Sequence, residues 1–308
     1  FLLSCHAATA ATNGETRAFN AGVQIFRDKK YDVAEQVFAD FLAKNPDSEV
    51  RAEAVLYRAK ALVHLENYAA AVVLLESELP QSGIFADQYR FWIAEAFFRE
   101  GQFEIASEKY ADVVRNHMDS PLVTEAAYNK AYSFAQLGNW QKVIELLGPD
   151  RSFTKLTASK PNDRFAILGI LLRAEGLFTV GQFEEAVRQL ELLNGRTLDA
   201  DAQWRHRFLL ARTLMAQKQF DLALTSVSNA VELSKASGRQ GRIADSIQLH
   251  AEILEASGRL KEAVEVYEQN LAPVLPEAQR RQALFKSIQL TIDQGKHAEA
   301  ITRLEQFI

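Results

Sequence analysis

Ala94-Glu95-Ala96-Phe97-Phe98-Arg99-Glu100-Gly101-Gln102-Phe103-Glu104-Ile105-Ala106-Ser107-Glu108-Lys109-Tyr110 is the stretch whose reading decides the fold. On both sides of Gly101 the apolar residues fall three and four apart, which is a helical period and not a strand period. Glycine interrupts the run because a left-handed residue ends a helix there at little steric cost. The stretch therefore reads as helix, tight turn, helix. Ala94 and Ala106 are small enough for two antiparallel helices to approach closely, and Tyr110 fills the space beside them.

The same pattern recurs along the chain. The bulky residue at Phe103 has counterparts at Tyr31, Tyr68, Trp140, Phe183, Phe220, Leu260 and His297. Three residues on stands a small one: Ala34, Ala71, Ala106, Val143, Ala186, Ala223, Ala263 and Ala300. Four further on stands a large one: Phe38, Leu75, Tyr110, Leu147, Leu190, Val227, Tyr267 and Leu304. Twelve residues before the small one comes another small residue, at Gly22, Ala59, Ala94, Ala131, Ala174, Ala211 and Ala251, with Ile288 as the exception. Glycine precedes the bulky position by two at Gly101, Gly138, Gly181, Gly258 and Gly295. Successive copies stand 35 to 43 residues apart. A period of that length marks an array in which each copy buries its apolar face on its neighbours.

These columns resemble the tetratricopeptide repeat family, whose period is about 34 residues, over roughly residues 15–308. Asn45-Pro46 stands at the family's proline position. The resemblance implies an all-α fold, a right-handed α-solenoid (superhelix) of about eight antiparallel helix pairs. Residues 15–147 are then repeats one to four, 148–163 a connecting loop and hinge candidate, and 164–308 repeats five to eight, the last one cut short within its second helix. Asp47-Ser48-Glu49 and Asp119-Ser120-Pro121 precede helices and are expected to supply N-caps. Ser234 to Arg242 reads as a flexible basic turn between repeats six and seven. The style of the repeats is similar to bacterial cell-envelope tetratricopeptide proteins, lipoproteins among them.

The N-terminus supports the same setting. Phe1-Leu2-Leu3-Ser4-Cys5 reads as the end of a signal-peptide apolar region, and His6-Ala7-Ala8-Thr9-Ala10-Ala11 as a small-residue cleavage zone. Leu2-Leu3-Ser4-Cys5 also resembles a lipobox, which makes Cys5 a candidate lipidation site. Residues 1–14 are expected to be a signal remnant or a flexible lead. The expected location is the bacterial periplasm or the outer membrane's surface, with the cytoplasm as the alternative. No run of about 18 apolar residues occurs, so no transmembrane segment is expected.

Composition excludes several function classes. Lys and Arg number 35 against 40 Asp and Glu, so the net charge of −5 offers no general attraction to nucleic acid. Cys5 is the sole cysteine, which rules out an internal disulfide and a thiolate metal site. The six histidines, His6, His64, His117, His206, His250 and His297, show no metal-ligand spacing. No glycine-rich phosphate loop and no GxSxG elbow is present. The adjacent pair Glu184-Glu185 falls on a second helix, where solvent is expected. No catalytic residue, cofactor site or metal site is assigned, and the chain reads as a non-enzyme.

What remains is the concave surface, which in the resembled family is lined by the first helix of each pair. Carrying the groove positions over gives Phe19, Phe26 and Arg27 in repeat one, Lys60 and His64 in repeat two, and Phe91, Glu95, Phe98 and Arg99 in repeat three. Tyr128 and Tyr132 follow in repeat four, and Phe208 and Arg212 in repeat six. Aromatic and arginine side chains carry most binding energy at interfaces. The family's clamp for a C-terminal carboxylate needs Lys and Asn where this chain has Phe19 and Val23, so that subtype is excluded. The reading is a non-catalytic scaffold of the cell envelope that binds a partner peptide or helix. Its alternatives are the helical, non-catalytic part of a larger cell-wall enzyme, or a lipoprotein that captures glycan.

Overall fold

The computed structural model describes residues 13–305, so Cys5 and the expected leader up to residue 12 lie outside the described residues, while its last two residues, 13 and 14, belong to the first helix. Seventeen α-helices occur among the described residues, and all but one fall into antiparallel pairs. By contact the chain divides into two compact units.

Unit one runs to Leu146 and includes Asp150–Leu156. Its pairs are α1 (Asn13–Arg27) with α2 (Tyr31–Lys44), α3 (Arg51–His64) with α4 (Tyr68–Glu78), α5 (Ala86–Arg99) with α6 (Phe103–Asn116), and α7 (Val123–Gln136) with α8 (Trp140–Leu146). The short α9 (Ser152–Thr157) follows, so part of the stretch expected to be loop is helical, with Phe153 buried. Unit two comprises Leu147–Pro149 and the chain from Thr157. Its pairs are α10 (Arg164–Thr179) with α11 (Phe183–Glu191), α12 (Ala200–Ala216) with α13 (Phe220–Ser237), α14 (Gln240–Ala256) with α15 (Leu260–Gln269), and α16 (Glu277–Asp293) with α17 (His297–Glu305).

The bulky column marks the first residue of every second helix, from Tyr31 to His297. Two residues earlier the backbone is left-handed in all eight turns. Five of these positions are glycines, and the other three are Lys29, Glu66 and Lys218, at φ near 60°. The turn's hydrogen bonds explain the demand. In the third repeat Gly101 N–H donates to Phe98 O at 3.1 Å and Gln102 N–H to Phe97 O at 2.9 Å, which satisfies two carbonyls left open at the helix end. Lys29 and Lys30 make the same two bonds to Phe26 and Ile25.

Helix starts differ from expectation. Val50 and Leu122, not the preceding Asp and Ser residues, stand at the N-caps of α3 and α7, and neither has a side-chain cap. Ser120 instead donates to Asp87 at 2.6 Å and accepts from Leu122 N–H, bracing the turn. Side-chain caps do occur at Asp163, which accepts from Phe165 and Ala166 N–H, and at Asp199, which accepts from Ala202 N–H. The expected loop from Ser234 to Arg242 is mostly helix, because α13 runs through Ser237 and α14 resumes at Gln240. Arg239 and Arg242 of that segment both pair with Asp201.

The core is built from the small and large columns. The small residues of the second helices, Ala34 to Ala263, are wholly buried, as are Ala59, Ala94, Ala131, Ala174, Ala211 and Ala251 on the first helices. Close approach is tightest at Gly22, where an added Cβ would come within 2.9 Å of the Phe38 ring. In unit one Phe38, Leu75 and Tyr110 are fully buried, and in unit two Leu190, Val227 and Tyr267. Burying a side chain of this size contributes roughly 1.5–3 kcal/mol. The eighth pair breaks both columns: Ile288 is half-buried and Leu304 is 47% exposed.

One buried histidine belongs to the unit-two core. His206 of α12 is 4% exposed. Burial, helped by the Arg207 charge, pulls its pKa down to about 4, while a hydrogen bond to the Leu190 backbone opposes the shift.

Two outcomes follow from this architecture. A non-glycine residue in the left-handed region costs about 1–2 kcal/mol, part of which a glycine replacement loses again to unfolded-chain entropy. Lys29→Gly, Glu66→Gly and Lys218→Gly are each expected to raise the unfolding free energy by up to about 1 kcal/mol in urea titrations, and Gly101→Lys to lower it. A lower stability in all three glycine variants would contradict this account of the turn. His206, in turn, is neutral in the fold and protonates readily once unfolded, so its contribution is complete above pH 6.5 and is lost as pH falls toward 4. The loss reaches roughly 2–3 kcal/mol, and His206→Gln should flatten the fall of the urea midpoint between pH 6.5 and 4.5.

Candidate protein-binding groove

Groove positions lie on the first helices, and each unit presents its own set. In unit one, α1, α3, α5 and α7 bring Phe26, Arg27, Lys60, His64, Glu95, Phe98, Arg99 and Tyr132 to partly or fully exposed places. The other three expected residues of this unit are core. Phe19 is 7% exposed, Phe91 5% and Tyr128 8%. Phe19 meets the Phe38 ring edge-on at 5.9 Å, and Phe91 meets Tyr110 at 5.6 Å. Both point at the large residue of their own second helix, so their burial holds the pair together and removes them from the surface. Tyr128 lies beneath Tyr132, stacked at 5.8 Å.

The exposed members form two linked clusters. In the first, the His64 imidazole lies flat on Tyr31, with centroids 4.2 Å apart and planes 6° apart. Phe26 packs edge-on against Tyr31, Tyr57 and His64. The Lys60 ammonium sits 5.2 Å from the Tyr57 ring and 5.4 Å from the Trp92 ring, which is cation–π range. Burial lowers the Lys60 pKa, and Glu53 partly offsets this. His64 is also shifted down, by burial first and then by Arg99, with Glu95 opposing. In the second cluster, Phe98 stacks on Tyr132 at 5.7 Å and meets Phe103 edge-on at 5.2 Å. Glu95 accepts from the Tyr110 hydroxyl and from Arg99 Nε, both at 2.7 Å. That pairing fixes Arg99 alongside the rings, and burial together with Glu95 holds the Tyr110 phenol far above its ordinary pKa.

In unit two, Phe208 is half-buried and stacked on Trp204 at 5.1 Å. The Arg212 guanidinium lies 4.5 Å from the Phe178 ring, and Arg242 lies 4.4 Å from Trp204. Trp204 Nε1 donates to Ser246. Further along this unit an open pocket is lined by Met215, Phe220, Glu252, Glu255 and Lys286. There Glu255 accepts from Tyr267 at 2.9 Å and pairs with Lys286 at 3.0 Å.

Tyr57, Trp92 and Trp204 are the participants that the sequence reading missed. Tyr57 and Trp92 both stand two residues before the small column on the first helix, so the repeat register itself was the available signal. Such an arrangement offers ring edges, ring faces and charged groups side by side. Among the described residues no group of three or more His, Cys, Asp or Glu side chains could hold a metal ion, and no helix is long and apolar enough to cross a membrane.

Comparison with known proteins bears on the fold. Residues 125–289 match a family model described as a tetratricopeptide repeat-like domain, and residues 26–87 and 93–146 match one described as a tetratricopeptide repeat. No curated protein matches the chain. Among solved structures, the C-terminal part of a tetratricopeptide repeat-containing protein from Cytophaga hutchinsonii is similar, with TM-score 0.60 and 15% identity over 93% of this chain and 99% of that one. The apo form of RapI gives 0.64 at 11% identity, over 96% and 87% of the two chains. A tetratricopeptide repeat protein from Parabacteroides merdae gives 0.54 at 14% identity, over 90% and 100%. At these identities the likeness is one of fold. The repeat-like model spans over half of the chain, and the pairs before it turn on the same left-handed residue; the chain belongs to the tetratricopeptide repeat family.

Proposed function

We propose that this chain is a non-catalytic scaffold of the bacterial cell envelope that holds a segment of a partner protein against its first helices. The observation that carries the reading is the row of half-buried rings and charged side chains on those helices. In unit one it comprises Phe26, Lys60, His64, Phe98, Arg99 and Tyr132; in unit two Phe208 and Arg212. These side chains are held by neighbouring rings and ion pairs, so a partner meets them already ordered, which lowers the entropic cost of binding. Solenoids of this kind offer extended concave surfaces, and an extended or helical segment suits them. The signal-like start at Phe1-Leu2-Leu3-Ser4-Cys5 supports the envelope setting.

Affinity capture from separated envelope and cytosolic fractions of the native organism tests both halves of the reading. A specific partner should be recovered from the envelope fraction. Phe98→Ala combined with Tyr132→Ala should reduce its recovery at least about tenfold, as expected for loss of two aromatic anchors, while the helical circular dichroism stays unchanged. Equal recovery with and without the rings would refute the groove, and recovery from the cytosol alone would refute the location.

A further inference from the structure

The basic residues of the unit-one groove are not scattered. Arg27, His64 and Arg99 occupy one register in three consecutive repeats, each five residues after the small residue of its first helix. Lys60 stands one turn below His64 on α3. Lys60 and Arg27 have no carboxylate within 4 Å among the described residues, and Arg99 is the member already paired, with Glu95. The rings of Tyr57 and Trp92 hold the Lys60 ammonium in place but supply no oxygen for its three N–H donors. Glu53, two turns earlier on the same helix, attracts the ammonium without forming an ion pair with it. A positioned ammonium beside aromatic rings, with no ion-pair partner among the described residues, is a ready donor for an incoming carboxylate.

We infer that the groove of unit one selects a partner segment carrying an Asp or Glu side chain next to an aromatic or aliphatic one. The carboxylate accepts from Lys60 and faces Arg27 and His64, and the apolar neighbour lies against Phe26 and Trp92. This rests on the groove reading above and adds the chemistry of the occupant. The residues differ from the family's C-terminal carboxylate clamp, whose first two positions are Phe19 and Val23 here. A polypeptide fits better than nucleic acid because Phe26, Tyr31 and Tyr57 are spent on one another edge-on and His64 is already stacked, so a row of free faces for bases is lacking.

A bead-displayed library of synthetic dodecapeptides, screened with the full chain, tests the inference. The retained peptides should be enriched in Asp or Glu beside Phe, Leu or Ile. Their Asn or Gln counterparts should bind at least about tenfold more weakly, the usual scale for a hydrogen bond to a charged group. Lys60→Met should erase that difference and Lys60→Arg should keep it. Equal binding of acid and amide peptides would overturn the inference while leaving the groove standing. So would a preference that survives Lys60→Met, or tighter Lys60-dependent binding of a twelve-nucleotide oligothymidylate. If nothing is retained at all, the groove reading fails and the inference with it.

Discussion

Close approach of two small residues, one on each helix of a pair, is the constraint on which the rest of this structure depends. Ala94 and Ala106 are fully buried, and Gly22 leaves no room for even one methyl beside the Phe38 ring. Helices this near leave a gap that one large side chain of the second helix can close, and Phe38, Leu75, Tyr110, Leu190, Val227 and Tyr267 do so with no exposed surface. The left-handed turn sets the phase. Because the second helix always begins two residues after it, the small and large columns arrive at fixed angles and interlock.

That geometry also decides what a ring on a first helix can do. Phe19 and Phe91 turn toward the large residue of their own pair and are enclosed by it. Phe26 and Phe98, seven residues later on the same helices, lie at the last turn, where the second helix is only beginning and covers less of them. Their partners are the bulky first residues Tyr31 and Phe103. The groove's aromatic character is thus tied to the residue that opens each second helix, so a structural column and a candidate binding surface share atoms.

Much of the fold was legible because the period repeats its own evidence. The start of every second helix and the site of every tight turn follow from columns that eight copies reinforce, even where Lys29, Glu66 and Lys218 replace glycine. Features that occur once were less legible. The helix spanning Ser152–Thr157 has no counterpart in the other repeats. α13 continues through Ser234, whose buried hydroxyl is satisfied by Val231 O, and the restraint on Arg239 and Arg242 comes from Asp201, about forty residues earlier. The candidate groove fell between these cases. Its register could be read from the period, but whether Phe19, Phe91 or Tyr128 faces solvent depends on rings of the second helix or a later turn, such as Phe38, Tyr110 and Tyr132.

The left-handed turns divide labour between backbone and side chain. Their two hydrogen bonds are made wholly by main-chain atoms, so the side chain at that position is under no obligation to pack. Lys29, Glu66 and Lys218 are all exposed there. At those three turns the charge can therefore change without touching the interlocked columns, whereas at the five glycine turns any side chain meets the cost of the left-handed backbone. In evolutionary terms the three turns that already carry a side chain, at Lys29, Glu66 and Lys218, can exchange one charge for another with little effect on folding, so the electrostatic approach of a partner can be tuned while the interlocked columns are held constant.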